Sequence, residues 1–400
     1  MSAVMARTQS APAQDDLIGR ARHLRDVIRA ASDSIEAERR LPAALLDALH
    51  EARLFRMMLP RSVDGLETDP LTFFQVIETI AQADASVAWC LSQAAGCSMT
   101  AAYLDAPVAQ SVFGTDPRAV LAWGPGPNVK AVLTEGGYRV SGTWSFNSGG
   151  RHATWLGAHC PIVQADGEPL KDANGQTVHR TMLIPAAEVA WTDIWDTLGL
   201  RGTASDAFTL NDHFVRTDHS ITRDFEHECR ETGSLYRMSA MSCYEVGFAG
   251  VSLGIARAAL DAFIDLARNK VPRGQKSPLR DNAVVQSNLA QAEAGVQAAR
   301  ALLVQTVGQI WSELSLPHSR FSKDQRIALR MVSTHAIHQS REAVDMAYNA
   351  AGTTAIFQNH ELSRRFRDMH TVTQQVQGRL SHFETVGAWM MGAEADFTFV

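Results

Sequence analysis

The sequence predicts a mainly α protein with a β domain at its centre: a helical domain, a central β domain and a C-terminal four-helix bundle, in that order. Three observations carry this. Apolar residues recur at three- and four-residue steps from residue 15 to about 115. From Ala119 the chain changes to short strand-like runs set off by glycine, and five of its eight tryptophans fall there, as aromatic residues favour strands. From about Ser234 long helical periodicities return with short links, the pattern of an antiparallel bundle. The expected boundaries are a flexible tail over 1–14, a helical domain over 15–118, a β domain over 119–231 and the bundle over 232–400.

Each element has its own signal. Leu17, Ile18, Ala21, Leu24, Ile28, Ala31 and Ile35 form one apolar stripe. Leu41-Pro42 restarts the chain, because proline suits a first helical turn where its missing N–H is not needed. Leu45, Leu46, Leu49 and Leu54 form the next buried face, and Met57 and Met58 read as core. Asp69-Pro70 is a cap and first-turn proline opening a run from Leu71 to Leu91, with a short helix expected over Ala94 to Leu104. In the middle third, Leu121-Ala122-Trp123 ends at Gly124-Pro125-Gly126-Pro127. Val129 to Thr134 and Tyr138 to Phe146 form a hairpin through Glu135-Gly136-Gly137, since glycine accepts positive φ. Trp155 to Val163, Thr181 to Pro185 and Ala207 to Val215 continue the β pattern. The bundle helices are expected over Ser234 to Arg268, Asn282 to Leu314, Asp324 to Ala351 and Glu361 to Gly392. Gly247, Gly250 and Gly254 share one face of the first, which predicts close approach of another helix.

Composition removes several function classes. The chain is 46% hydrophobic and 20% charged with a formal net charge of -6, an ordinary globular balance without the basic excess of a nucleic-acid binder. No run of ~18 apolar residues predicts a membrane span, and Met1 to Gln14 has no secretory pattern. Cys90, Cys97, Cys160, Cys229 and Cys243 are odd in number and widely spaced, which argues against a disulfide framework or a metal site and predicts a reducing, cytoplasmic setting. No Gly-x-Gly-x-x-Gly follows a strand, so no nicotinamide site of the doubly wound kind is expected.

Four segments carry a family resemblance. Ala83-Asp84-Ala85-Ser86-Val87-Ala88-Trp89 resembles an Ala-Asp-x-Ser-x-Ala-Trp segment. Gly142-Thr143-Trp144-Ser145-Phe146-Asn147-Ser148-Gly149-Gly150-Arg151-His152-Ala153-Thr154-Trp155 is similar to Gly-x-Trp-x-Phe-x-Ser-Gly-x-x-His-Ala-x-Trp. Leu200-Arg201-Gly202-Thr203-Ala204-Ser205-Asp206 resembles Leu-Arg-Gly-Thr-Gly-Ser-Asp, and Arg367-Asp368-Met369-His370 resembles Arg-Asp-x-His. These belong to the oxygenase components of two-component flavin-dependent monooxygenases, a branch of the acyl-CoA dehydrogenase fold that includes 4-hydroxyphenylacetate hydroxylase, dibenzothiophene monooxygenase and indole-oxidising enzymes.

The resemblance implies an oxidoreductase that takes reduced FMN or FAD as a diffusible co-substrate from a separate flavin reductase. With O2 it would form a C4a-(hydro)peroxyflavin and hydroxylate a small aromatic or indole-like substrate. It further implies a homotetramer, a dry cleft and a few placed donors, the cofactor supplying the oxidising power. Spacing alone reads Ser148 as a turn serine, whereas the resemblance makes it the contact to flavin N5, with Asn147 as its backup and Gly149 letting the backbone approach the ring. Trp123 is either a core tryptophan or part of a flavin-covering loop. Arg201 faces either solvent or an anionic flavin or substrate. Arg273, in the break after the first bundle helix, matches a pyrophosphate-binding arginine, and Asn349 and Gly352 match a flavin-contacting segment. His370 is the implied acid/base, with His152 the other histidine available for proton transfer. Where many relatives carry a second histidine, this chain has Gln375, which can orient a substrate but cannot titrate.

Two other readings fit the same fold. N- or S-oxygenation uses the same cofactor chemistry. An acyl-CoA dehydrogenase needs a carboxylate base, but the corresponding stretch here is Gln375-Val376-Gln377-Gly378, which leaves only Glu245 on the first bundle helix.

Overall fold

The structure, a computed structural model, describes residues 16–222 and 228–397; the expected tail over 1–14 lies outside them. Helix α1 (Leu17–Glu38) starts where the Asp16 carboxylate accepts from the Gly19 N–H, and it buries Leu17, Ala21, Ile28 and Ile35 from the expected stripe. Helix α2 (Ala43–Glu51) follows Pro42, and α3 (Pro70–Ala81) is capped by Asp69, which accepts from Leu71 and Thr72. The next helix departs from expectation. Instead of one run to Leu91, α3 ends at Ala81 and α4 spans Ala85–Ser98, because the Asp84 carboxylate captures the Ser86 and Val87 N–H groups and starts a new helix there. A 3₁₀ turn over Met99–Tyr103 and the short α5 (Ala106–Ala109) complete this domain.

The β domain has strands β1 (Leu121–Gly124), β2 (Lys130–Thr134), β3 (Gly137–Trp144), β4 (Trp155–Val163), β5 (His179–Pro185), β6 (Ala190–Thr192), β7 (Ala207–Arg216) and β8 (Ser220–Ile221). The β2–β3 hairpin forms where expected, with Gly136 at φ +72° in the turn. The order is β6-β7-β3-β2-β4-β5-β8, and β1 lies parallel to β4. Strands β6 and β8 are three and two residues long, too short to show an alternating pattern in sequence. This domain has its own core, built on Trp144, Phe208, Val140, Leu156, Ile162 and Met182.

The bundle comprises α6 (Ala240–Asn269), α7 (Ala283–Leu314) and α8 (Lys323–Ala351), then two short helices where one was expected: α9 (Glu361–Val372) and α10 (His382–Met390). The break has a local cause. The Gln375 side chain accepts from the Gln377 N–H, closing a 3₁₀ turn over Val376–Gly378, and a Cβ at Gly378 would stand 3.0 Å from the Thr373 carbonyl. Helix α6 has the length and hydropathy of a membrane span, yet 78% of that stretch is buried in the protein, where α6 packs against α3, α4, α8 and α9.

The glycine face of α6 is a groove for the N-terminal helices. A Cβ at Gly247 would lie 2.0 Å from Ser92 Oγ, and one at Gly254 would lie 2.5 Å from both the Ala81 Cβ and the Glu78 carbonyl oxygen. Across the same junction Arg300 on α7 grips the Glu78 carboxylate through two bonds of 2.6 and 2.8 Å. Gly254→Ala should therefore push α3 away from α6 and destabilise the protein by about 1–3 kcal/mol, the range for overpacking. Urea unfolding that gives the wild-type midpoint would contradict this.

Candidate active site

The site is built where two loops of the β domain meet α4. After β3 the chain makes the turn Asn147–Gly150, with Gly149 at φ +77°, a left-handed conformation suited to glycine. The buried Asn147 staples this turn to the second loop: its Nδ2 donates to the Trp144 carbonyl (2.8 Å) and the Asp206 carbonyl (2.9 Å). The Gly149 N–H donates to the Thr203 carbonyl at 2.8 Å. Asp206 then ties the outer side, accepting from Arg151 Nε at 2.7 Å and from the Ile194 N–H at 2.9 Å.

Ser148 sits between these loops and α4. Its Oγ accepts from Trp89 Nε1 at 3.0 Å and lies 2.7 Å from Ser205 Oγ. Trp89 stacks on Phe248 of α6 with ring centroids 4.0 Å apart, and Phe248 stacks in turn on Tyr244. A nearly buried hydroxyl thus stands at one end of a three-ring aromatic stack. Trp89, Thr203 and Ser205 belong to the motif segments, yet their residue types give no sign of this contact; only the fold brings the segments together.

The other candidates fall into separate places. Trp123 is buried with its ring against Gly157 and edge-on to His159 at 4.9 Å, and it packs in the core built mainly from the helical domains. Arg201 is occupied: it donates to Asp196 Oδ1 and the Thr197 carbonyl, each at 2.9 Å. His152 lies behind the Ser148 turn, with Phe55 at 5.6 Å and its Nε2 shut from solvent without a partner. Desolvation, aided by the charge of nearby His50, pulls its pKa down to about 4. His370 is one-third exposed; its Nε2 is 2.7 Å from Asp345 Oδ1, and its ring packs on Phe366 at 4.3 Å. Gln375 is used in the turn that breaks the last helix.

Arg273, Asn349 and Gly352 gather at the far end of α6. Lys270, at the end of α6, donates to the Ala351 carbonyl and to Thr354, fastening the α6–α7 loop to the Gly352 turn. At ~1.5 Å per residue this end is about 32 Å along α6 from Phe248.

The carboxylate available to a dehydrogenase is also committed. Glu245 is 2% exposed and ion-paired with Arg330, which bonds His382 Nε2 at 2.7 Å on its other side. Burial pushes the Glu245 carboxyl up, to about 7, against the pull of Arg330. The Ser148 turn brings together a glycine at positive φ, a hydroxyl and neighbouring aromatic rings.

The profile of the acyl-CoA dehydrogenase N-terminal domain matches residues 14–109, and that of the acyl-CoA dehydrogenase C-terminal domain matches 246–377. The chain belongs to the acyl-CoA dehydrogenase-fold proteins. Relatives similar to it over most of its length are oxygenase components of flavin-dependent monooxygenases. It is 28% identical to an indole-3-acetate monooxygenase of Pseudomonas putida over 92% of this chain and 91% of that one. It is 26% identical to the oxygenase component of an FADH(2)-dependent resorcinol hydroxylase of a Rhizobium species, over 94% of each. XiaF from a Streptomyces species, solved in complex with FADH2 and glycerol, superposes with a TM-score of 0.87 at 25% identity, covering 95% of this chain and 96% of that one.

The depressed His152 pKa has a consequence for stability. The folded state disfavours the imidazolium, so the contribution of neutral His152 is complete above pH ~6.5 and is lost as pH falls toward 4. His152→Asn removes that titration. Urea unfolding at pH 7, 6 and 5 should show wild type losing stability relative to the variant as pH falls; a constant difference would contradict it.

Proposed function

We propose that this chain is the oxygenase component of a two-component monooxygenase that hydroxylates a small aromatic or indole-like substrate, using O2 and reduced FMN or FAD delivered by a separate reductase. The observation that carries the reading is the Ser148 hydroxyl at the end of the Trp89–Phe248–Tyr244 stack. The substrate class is supported by the names of the relatives and by an aromatic, uncharged wall. The nearest arginine of the motif loop, Arg201, is held by Asp196, leaving ring stacking and hydrogen bonding as the means of recognition.

When bound, the reduced flavin supplies the electrons that activate O2 for transfer of one oxygen atom. The protein's part is to hold and protect. Ser148 would hold the ring near N5, where loss of a proton would waste the oxidant as H2O2. Trp89, Phe248 and Tyr244 keep water from that edge. His370 is the acid/base: Asp345 holds its Nε2, which fixes the tautomer and leaves Nδ1 to take a proton from the substrate.

A second copy completes the cofactor site. Arg273, Asn349 and Gly352 would hold the phosphate end of a flavin whose ring contacts Ser148 of a neighbouring subunit. Exposed Ile356, Phe357, Met390 and Met391 supply apolar contact area, and closed symmetry gives a homotetramer. The five free thiols suit a reducing, cytoplasmic setting.

Incubated with NADH alone the protein should be inert. With a flavin reductase, flavin and a phenol or indole it should yield oxygenated product. Rapid NADH oxidation by the isolated chain would overturn the two-component reading. His370→Asn should lower product formation by about 10²-fold while leaving reduced-flavin affinity nearly unchanged. Equal product yield from the variant would remove His370 from the chemistry. Light scattering should report a tetramer, and a stable monomer that binds reduced flavin at wild-type affinity would contradict the shared site.

A further inference from the structure

The contacts around Ser148 fix the direction of its hydroxyl as well as its position. Thr203 Oγ1 lies 2.9 Å from the Leu200 carbonyl oxygen, which has no hydrogen to give, so the single hydroxyl hydrogen of Thr203 points there. Ser205 Oγ is 2.7 Å from Thr203 Oγ1 and is therefore the donor of that pair. Its only hydrogen is then committed. In the 2.7 Å contact between Ser148 and Ser205 the donor must be Ser148. From the other side arrives the Trp89 Nε1–H, which can only donate. Ser148 has given its hydrogen inward, has one lone pair engaged by Trp89, and keeps one lone pair.

The opposite polarity fails on the same count. If Ser148 donated outward, Ser205 would donate to Ser148 and Thr203 to Ser205. Thr203 Oγ1 and the Leu200 oxygen would then face each other at 2.9 Å with no hydrogen between them. That carbonyl is not free to turn away, because Trp195 Nε1 also donates to it at 2.9 Å. Thr203 and Ser205 are each 1% exposed, so water does not readily enter to reverse the chain, and Ser148, at 8%, is its more open end.

We propose that Thr203, Ser205 and Trp89 are positioning residues that present the Ser148 hydroxyl to the flavin as a hydrogen-bond acceptor. The proposal rests on the reading of Ser148 as the N5 contact. Reduced flavin carries a hydrogen on N5 and satisfies the remaining lone pair. Oxidised flavin offers only a lone pair there and meets an acceptor with an acceptor. The three hydroxyls thus make the site favour the reduced ring before any chemistry begins.

The test is an anaerobic titration giving dissociation constants for reduced and for oxidised flavin in wild type, T203V, T203S, S205A and S148A. In T203V the Ser205 hydrogen loses its acceptor and turns to Ser148, whose own hydrogen then points outward. In S205A the Ser148 hydrogen is released directly. Both should lower the preference for reduced over oxidised flavin by about fivefold, the worth of one net hydrogen bond, with part of the change a tightening for oxidised flavin. T203S restores the hydroxyl and should restore the preference, which loss of packing alone would not do. Because T203V is nearly isosteric, it carries the test if S205A folds poorly. A preference that moves in S148A but stays at the wild-type value in T203V and S205A overturns the polarity assigned here. A preference unmoved in S148A as well overturns the placement of N5 at Ser148.

Discussion

The loop Gly199–Asp206 is the joint on which the rest of the structure depends. A Cβ at Gly199 would stand 2.2 Å from the Arg367 carbonyl of α9, and one at Gly202 would stand 2.1 Å from Ile35 of α1 and 2.9 Å from Ser86 of α4. Asp368 accepts from the Leu200 N–H at 2.7 Å, and Ser86 Oγ accepts from the Gly202 N–H at 3.1 Å. On its other side the loop is stapled to the Ser148 turn by Asn147 and Gly149. Helical domain, β domain and bundle therefore meet in one stretch of backbone. It is a strained stretch: Leu200 and Ala204 both have positive φ, +51° and +44°. The Leu-Arg-Gly-Thr-Gly-Ser-Asp pattern has glycine where this chain has Ala204, so alanine is held here in a conformation glycine adopts freely.

That joint explains which motif residues act and which only hold. Arg365 donates to the carbonyls of Ala81, Gln82 and Ala83, fixing the link between α3 and α4 just before the Asp84 cap. Burial, with Asp84 nearby, raises the Asp368 carboxyl to about 7. It remains an acceptor in either protonation state through its bond to Leu200. The aspartates of two motif segments are thus structural, and what they place is the hydroxyl chain that ends at Ser148. His370, paired with Asp345 of α8, lies on the same α9 that holds the loop through Asp368.

Much of this was legible in the sequence. The three-part order, the hairpin at Gly136, the cap at Asp69 and the glycine face of α6 all follow from local rules of period and turn. The break after Val372 was not, because it comes from one glutamine side chain competing for a backbone N–H inside an otherwise helical pattern. The Trp89–Ser148 contact joins residues 59 apart in sequence, and no local period reports such a contact. For the same reason the sequence leaves Trp123 and Arg201 open: a tryptophan after a strand and an arginine on a glycine loop show their surroundings only when Gly157 and Asp196 are in place. The length of α6, which separates Phe248 from the Gly352 turn, is likewise a distance a list of motifs does not carry.

A crystal structure of the protein with bound reduced flavin tests the central claim most directly. The account predicts N5 within ~3.2 Å of Ser148 Oγ, with the Trp89 and Ser205 contacts retained and the phosphate end approached by Arg273 of a neighbouring copy. A ring seated with N5 out of reach of Ser148, or a flavin held wholly within one chain, would contradict it.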